Sequence, residues 1–270
     1  MANAPATGVT FTLDVEDYAV PHTEPRAPKI TREIVAFLAE RDVRGTFFVV
    51  GALAAEHPDL VRDIAAAGHE VGLHAYRHDP LPDVAPDAFR SDIDRGKKLL
   101  EDLTGAPVVG FRAPMFSLVE ASVWATDVLA EAGFAYSSSV LPARSPLYGW
   151  PGQPRVPYRW PSGVIELPCP IATMGPIANP YLGGVYFRVL PWRAVEYGLG
   201  HAGPGEALWT YCHPYDFDPD EPFTRRPGLG LAKSRLLWLN RRGMYDRIAR
   251  LLAKGAAAPL AERVPSFGSV

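Results

Sequence analysis

At 270 residues, with 47% hydrophobic and 21% charged side chains, the chain has the composition of a soluble globular protein long enough for one sizeable core. It holds no run of about 18 apolar residues to span a bilayer, and its net charge of −3 gives no reason to expect nucleic-acid binding. Its two cysteines, Cys169 and Cys212, form no CxxC pair, which argues against a zinc finger or redox motif and leaves one disulfide open.

Residues 1–8 read as a tail with neither a basic nor an apolar leader segment, so a cytoplasmic location is expected. Val9 to Val15 reads as a short buried strand, and residues 21–28, with Pro21, Pro25 and Pro28, as a loop. Helical spacing runs from Ile30 to Arg41, and Gly45 to Gly51 is a second strand bracketed by glycines. A helix over Leu60 to Ala67 leads through a third strand, Gly68 to Leu73, into His74. A longer helix over Pro86 to Leu103 precedes a fourth strand, Val108 to Phe111. A helix over Ser122 to Ala132 precedes a fifth, Tyr136 to Val140, and Val164 to Leu167 and Ala207 to Cys212 are the remaining candidates. Strands alternating with helices predict βαβ units, a parallel sheet and, with about seven units, a single-domain barrel whose chemistry sits at the C-terminal strand ends. Asp14, His74, Arg112 and His213 each fall at or just past such an end. The barrel is assigned to residues 9–220 and a basic helical extension packed on it to 221–270. Residues 141–163 and 168–184, rich in Pro, Gly, Tyr and Trp, either only connect elements or frame a substrate, since aromatic faces stack on sugar rings.

Two imidazoles four residues apart, His74 and His78, together with a carboxylate of Asp14-Val15-Glu16-Asp17, make a standard ligand set for a catalytic divalent ion, zinc first. Such an ion activates water at neutral pH and polarises a carbonyl. Residues 14 and 16 of an extended segment point to the same side, whereas Asp17 is the competing ligand if the strand has already turned. His22, His57, His69 and His201 lack this context and read as surface or loop histidines.

Three further segments look like active-site strand ends: Gly110-Phe111-Arg112-Ala113-Pro114, Tyr136-Ser137-Ser138-Ser139 and Thr210-Tyr211-Cys212-His213-Pro214. With the acidic segment and the histidine pair, their order and spacing resemble the polysaccharide deacetylase family (carbohydrate esterase family 4, NodB-homology domain), in the branch that opens with Asp-Val-Glu-Asp. The resemblance runs from about Val9 to Asp218. It implies a distorted (β/α) barrel and metal-dependent hydrolysis of a linear amide, most simply the N-acetyl group of an amino sugar or its glycoconjugate. It further implies Asp14 as general base and Glu16 as the acidic metal ligand beside His74 and His78. Arg112 would hold Asp14 ionised. The backbone amide of Met115 corresponds to the family's oxyanion donor and His213 to its general acid. Glu166, a lone acid in an apolar strand, is the candidate partner of His213, or else an edge-strand acid facing solvent. The segment after Tyr136 lacks the aspartate that relatives often carry there.

Two other readings stand beside deacetylation: hydrolysis of another small amide (a cyclic ureide, an imide or a formamide), and a non-catalytic carbohydrate-binding relative. From Glu221 to Lys254, nine basic residues, Arg241 and Arg242 among them, face only Glu221 and Asp246. They form either a solvated cationic surface or a dock for a phosphate-bearing sugar conjugate or a membrane surface.

Overall fold

The computed structural model describes residues 8–17, 25–175, 177–225 and 230–267. The first half alternates strand and helix. Two short strands, β1 (Val9–Thr10) and β2 (Thr12–Val15), lead to α1 (Ala27–Ala39) and β3 (Thr46–Val49). Next come α2 (Gly51–Glu56), α3 (Pro58–Ala66), β4 (Glu70–Leu73), α4 (Pro86–Thr104), β5 (Gly110–Phe111), α5 (Ala125–Glu131) and β6 (Tyr136–Ser137). The helices are amphipathic: α1 buries Ile30, Ile34 and Leu38, one turn apart, on one face. Proline opens α1, α3 and α4, and α4 stops at Gly105, whose φ of 69° is the left-handed turn that glycine adopts without a side-chain clash.

The second half carries β7 (Tyr158–Arg159) and β8 (Ile165–Glu166), then a hairpin of β9 (Ile171–Met174) and β10 (Ile177–Pro180). It continues with α6 (Gly184–Val189), α7 (Trp192–Gly200), α8 (Leu231–Leu236), α9 (Met244–Leu252), β11 (Ala256–Ala257) and α10 (Leu260–Phe267). Seven strands form one sheet in the order β2-β3-β4-β5-β6-β8-β7, parallel throughout except for the antiparallel edge pair β7–β8. Strands β2 and β3 are buried along their whole length, as parallel strands covered on both faces must be. The segment predicted as a strand over Ala207 to Cys212 lies beside β2 through isolated parallel bridges, Thr10 to Trp209 and Leu13 to Cys212. Asp14 N–H donates to the Cys212 carbonyl at 2.8 Å. The sheet curls as a (β/α) barrel does, but among the described residues no strand pairing closes it.

The N-terminal strand ends are tied to the C-terminal segment. β11 pairs in parallel with β1. Leu260 N–H donates to Thr46 Oγ1 at 2.9 Å and Ala261 N–H to Glu70 Oε2 at 2.9 Å. Glu70 also accepts from Thr46 Oγ1 (2.7 Å) and the Tyr136 hydroxyl (2.6 Å). That end of the sheet is a polar knot that anchors α10, and the opposite, C-terminal end is left for chemistry. No helix among the described residues is long and apolar enough to cross a membrane.

Several sequence expectations change. The strand expected to run to Gly51 stops at Val49, and Gly51 opens the helix α2, which the sequence reading does not contain. Cys169 and Cys212 are free and buried, so they form no disulfide. In the loop rich in aromatics, Trp150 stacks on Trp160 at 6.1 Å and Tyr158 meets Trp160 edge-on, so much of that aromatic surface packs on itself. His22 lies outside the described residues, His201 is exposed and stacked on Tyr197, and His57 sits half-buried between α2 and α3.

His69 is not a surface histidine. It is buried, Gly45 N–H donates to its Nδ1 at 3.1 Å, and its ring lies 4.7 Å from that of Phe47. Burial, and secondarily the positive charge of Arg44, push its pKa down to about 4. The unfolded chain protonates this group near pH 6.5, so its contribution is fully present above that pH and is lost as pH falls toward 4. The loss amounts to about 3 kcal/mol. Urea unfolding followed from pH 7 to 4.5 should show a shallower decline for His69→Gln than for the unsubstituted protein. Parallel declines would mean that His69 does not couple folding to pH.

Candidate metal centre and active site

The loop after β4 carries both histidines, and its backbone is held on three sides. His74 N–H donates to the Val49 carbonyl at 3.0 Å, while Gly51 and Ala52 N–H donate to the carbonyls of Ala75 and Tyr76 at 2.9 Å each. From α4, the Asp92 carboxylate accepts the N–H groups of Tyr76 (2.6 Å) and Arg77 (3.1 Å). Residue 51 must be glycine, because a Cβ there would stand 2.4 Å from the Tyr76 ring. Ala75 and His78 take left-handed backbone angles, φ 57° and 64°, which turn the chain back so that both imidazoles meet. Strain of this kind persists only where surrounding bonds fix the loop.

His74 is buried, and its Nδ1–H donates to the Arg112 carbonyl at 2.8 Å. A carbonyl can only accept, so the Nε2 lone pair is left free to bind a cation. Nε2 of His74 lies 3.7 Å from Oε2 of Glu16. Nε2 of His78 lies 2.5 Å from the same oxygen but outside hydrogen-bond geometry. One ligand atom from each of Glu16, His74 and His78 falls within a 4.8 Å group able to hold a metal ion. Around a tetrahedral ion with bonds near 2.1 Å, ligand atoms stand roughly 3.4 Å apart, so the first separation fits and the second would open slightly. Burial disfavours the ionised Glu16, but contacts with His74 and His78 outweigh it and hold the carboxyl well below the usual range. The donor set, two imidazoles and one carboxylate, suits a divalent ion such as zinc.

Asp14 and Arg112 form a buried pair, Nη1 to Oδ1 2.6 Å. Arg112 also donates from Nη1 to Thr12 Oγ1 and from Nε to Ser138 Oγ, 2.9 Å each, and its guanidinium lies 4.1 Å over the Phe48 ring and 4.3 Å over Trp209. Ala113 N–H donates to Ser139 Oγ at 2.8 Å. The Tyr136–Ser139 segment therefore fixes the Arg112–Ala113 backbone and side chain. Met115 follows with φ 56° and is 38% exposed.

His213 Nε2 sits 4.0 Å from Asp14 Oδ2 and 3.9 Å from Glu16 Oε1. Its Nδ1–H donates to Asp216 Oδ2 at 3.0 Å, and Asp216 Oδ1 lies 2.8 Å from Nε of the buried Arg188. The Tyr215 ring stacks on His213 at 4.6 Å, and its hydroxyl donates to Glu16 Oε1 at 3.3 Å. Burial alone would lower the His213 pKa, but Asp216, Glu16 and Asp14 together push it up to about 9.

One expectation needs correction. The partner of His213 is Asp216, not Glu166. Glu166 is fully buried and accepts from Ser139 N–H (2.6 Å), Val140 N–H (2.9 Å) and Trp160 Nε1–H (3.3 Å), so it anchors the segment after β6 and does not face solvent. Asp17 stands apart from the Glu16–His74–His78 group, and its Oδ2 accepts Ala27 N–H at 2.8 Å at the start of α1. Asp216 was overlooked although it lies three residues after His213 in a 3-10 turn over Pro214–Phe217, a spacing that brings i and i+3 together. Arg188 and Tyr215 carried no comparable local signal.

Comparison with known proteins agrees with this geometry. Residues 3–137 match the polysaccharide deacetylase family and residues 138–262 a domain of unknown function (DUF3473). Over 100 residues, 37% of this chain, it is 33% identical to a peptidoglycan-N-acetylglucosamine deacetylase of Bacillus cereus. Over 115 residues, 40% of this chain, it is 36% identical to a chitooligosaccharide deacetylase of Sinorhizobium fredii. Those matches span 36% and 49% of the relatives' own lengths. The crystal structure of a candidate polysaccharide deacetylase from Mycobacterium smegmatis shares the fold, with a TM-score of 0.66 at 24% identity over 98% of this chain and 95% of that one. The boundary between the two matched regions falls just after β6 in mid-sheet, and the site draws Asp14, His74 and Arg112 from one side and Arg188, His213 and Asp216 from the other. With half its length matched by that family and the family's five motifs gathered at one end of the sheet, the chain belongs to the polysaccharide deacetylase family.

Proposed function

We propose that this protein is a metal-dependent amidohydrolase that removes the N-acyl group, acetyl first, from an amino sugar within a glycoconjugate. The observation that carries this reading is that His213 Nε2 lies 4.0 Å from Asp14 and 3.9 Å from Glu16, while Glu16, His74 and His78 offer ligand atoms within 4.8 Å of one another. A divalent ion held by Glu16, His74 and His78, zinc by its donor set, would supply Lewis acidity to the acyl carbonyl and to water. Asp14, paired with Arg112 at 2.6 Å, accepts the proton of the attacking water. The Met115 backbone N–H donates to the oxygen on which charge develops. His213, held by Asp216 with Nε2 turned toward the site, gives a proton to the departing amine.

The exposed Lys233, Arg235 and Arg242, close in sequence to the exposed Leu231, Leu236 and Leu239, suit a phosphate-bearing conjugate or an anionic membrane surface as partner. Acetate release from N-acetylglucosamine oligomers and peptidoglycan fragments tests the activity, with a cyclic ureide, an imide and a formamide run in parallel. Release from the sugars alone is expected; turnover confined to the small amides would overturn the assignment.

As an acid, His213 must be protonated, so kcat/KM should fall as pH rises through its pKa. Asp216→Asn removes the nearest raising charge and should move that alkaline limb to lower pH by about one unit or more. An unmoved limb in the pH profile would assign it to a different group.

A further inference from the structure

A cavity of about 560 Å³, a size typical of small-ligand sites, lies beside the acid side of the active site and is lined by Arg188, Arg241, Arg242, Arg247, Gly243 and Asp246, among others. Arg188 has no exposed surface, and it is the same residue whose Nε stands 2.8 Å from Asp216. Its Nη1 donates to the Leu239 carbonyl at 2.6 Å, and its Nη2 has no hydrogen-bond partner. Arg241 is 3% exposed. It donates to Glu221 Oε2 at 2.5 Å and to the Asp218 carbonyl at 3.2 Å, and its Nη2 is likewise unpartnered. Arg247 donates from Nη2 to the Leu190 carbonyl at 2.8 Å and leaves a buried Nε without a partner. Burial, followed by repulsion from Arg250, lowers its pKa. Buried guanidinium N–H groups left without acceptors are costly unless something else satisfies them.

The charge balance points the same way. Among the described residues that line the cavity, four are arginines and one, Asp246 in the first turn of α9, is an acid. Asp216 pairs with Arg188 and Glu221 with Arg241 from outside the lining, and Asp218, near Arg241, is paired with Arg26. The helix α9 begins at this cavity, and its N-cap, Gly243, offers no side chain to satisfy the first amides. Helix starts favour anions, and planar guanidiniums bind tetrahedral oxyanions in bidentate fashion.

We infer that this cavity is a binding site for a phosphate-class oxyanion, distinct from the metal centre and reached from Arg242 at its exposed side. It gives the phosphate of a substrate conjugate a place to sit, yet it stands on its own geometry and would hold whether or not the deacetylase reading does. The test is isothermal titration of the full chain with inorganic phosphate and with pyrophosphate at low ionic strength. Binding that weakens as sodium chloride is added is expected. Arg242→Gln and Arg247→Gln should each weaken it about tenfold, the value of one charge-assisted hydrogen bond. Thermal unfolding of both variants confirms that they fold. Sedimentation with phosphatidic acid vesicles separates the sources: capture that both substitutions abolish would identify a lipid headgroup, and its absence alongside phosphate binding a soluble one. No binding of either anion at millimolar concentration, or binding indifferent to both substitutions, would overturn the inference.

Discussion

Replacing His74 and His78 together by alanine should reduce acetate release to background and leave the purified protein without its divalent ion. The expected rate loss exceeds about 10³-fold, because several kcal/mol of charge stabilisation disappear with the ion. Each single substitution should lower occupancy and activity in proportion, since His74 and His78 both place Nε2 beside Oε2 of Glu16. Folding should survive, because beyond the His74 imidazole bond to Arg112 the loop backbone is held by Gly51, Ala52 and Asp92. Metal analysis and acetate release on the same samples check this. Full occupancy in the double variant would remove the basis of the functional reading.

A second large effect separates base from ligand. Asp14→Asn should keep the metal and cost roughly 10²–10⁴-fold in kcat, the size of a general-base contribution. Glu16→Ala should lose the metal, since the carboxylate is the oxygen common to both imidazoles. Asp17→Ala should keep both metal and rate and cost only about 1 kcal/mol of stability, as the loss of a helix-start acceptor does. Metal lost in Asp17→Ala but retained in Glu16→Ala would shift the acidic ligand by one residue.

Much of this architecture was legible because its signals are local. Alternating buried strands and amphipathic helices over residues 9–140 follow from hydrophobic period alone, and the C-terminal strand ends then place Asp14, His74 and Arg112 at one rim. Period-two alternation also puts residues 14 and 16 on one side, which is where Glu16 stands and Asp17 does not. What escaped depends on long-range packing. Glu166 reads as an acid in need of a partner, but that need is met by backbone N–H groups of Ser139 and Val140, which no pattern in the chain announces. Arg188 reaches Asp216 from α6, 28 positions earlier, and the buried roles of Arg241 and Arg247 are invisible in a run of basic residues that reads as a solvated surface. His69 was misplaced for the same reason: its burial is set by Phe47 and α3, not by its neighbours in sequence.

Glu16, His74 and His78 would hold one catalytic metal that Asp14 and His213 serve. Protein stripped with a chelator and then titrated with zinc, with acetate release from N-acetylglucosamine oligomers measured at each addition, tests it most directly. No release from the stripped protein is expected, followed by a linear recovery that ends at about one equivalent per chain. Release undiminished by the chelator, or no recovery at any zinc concentration by protein that remains folded, would contradict it.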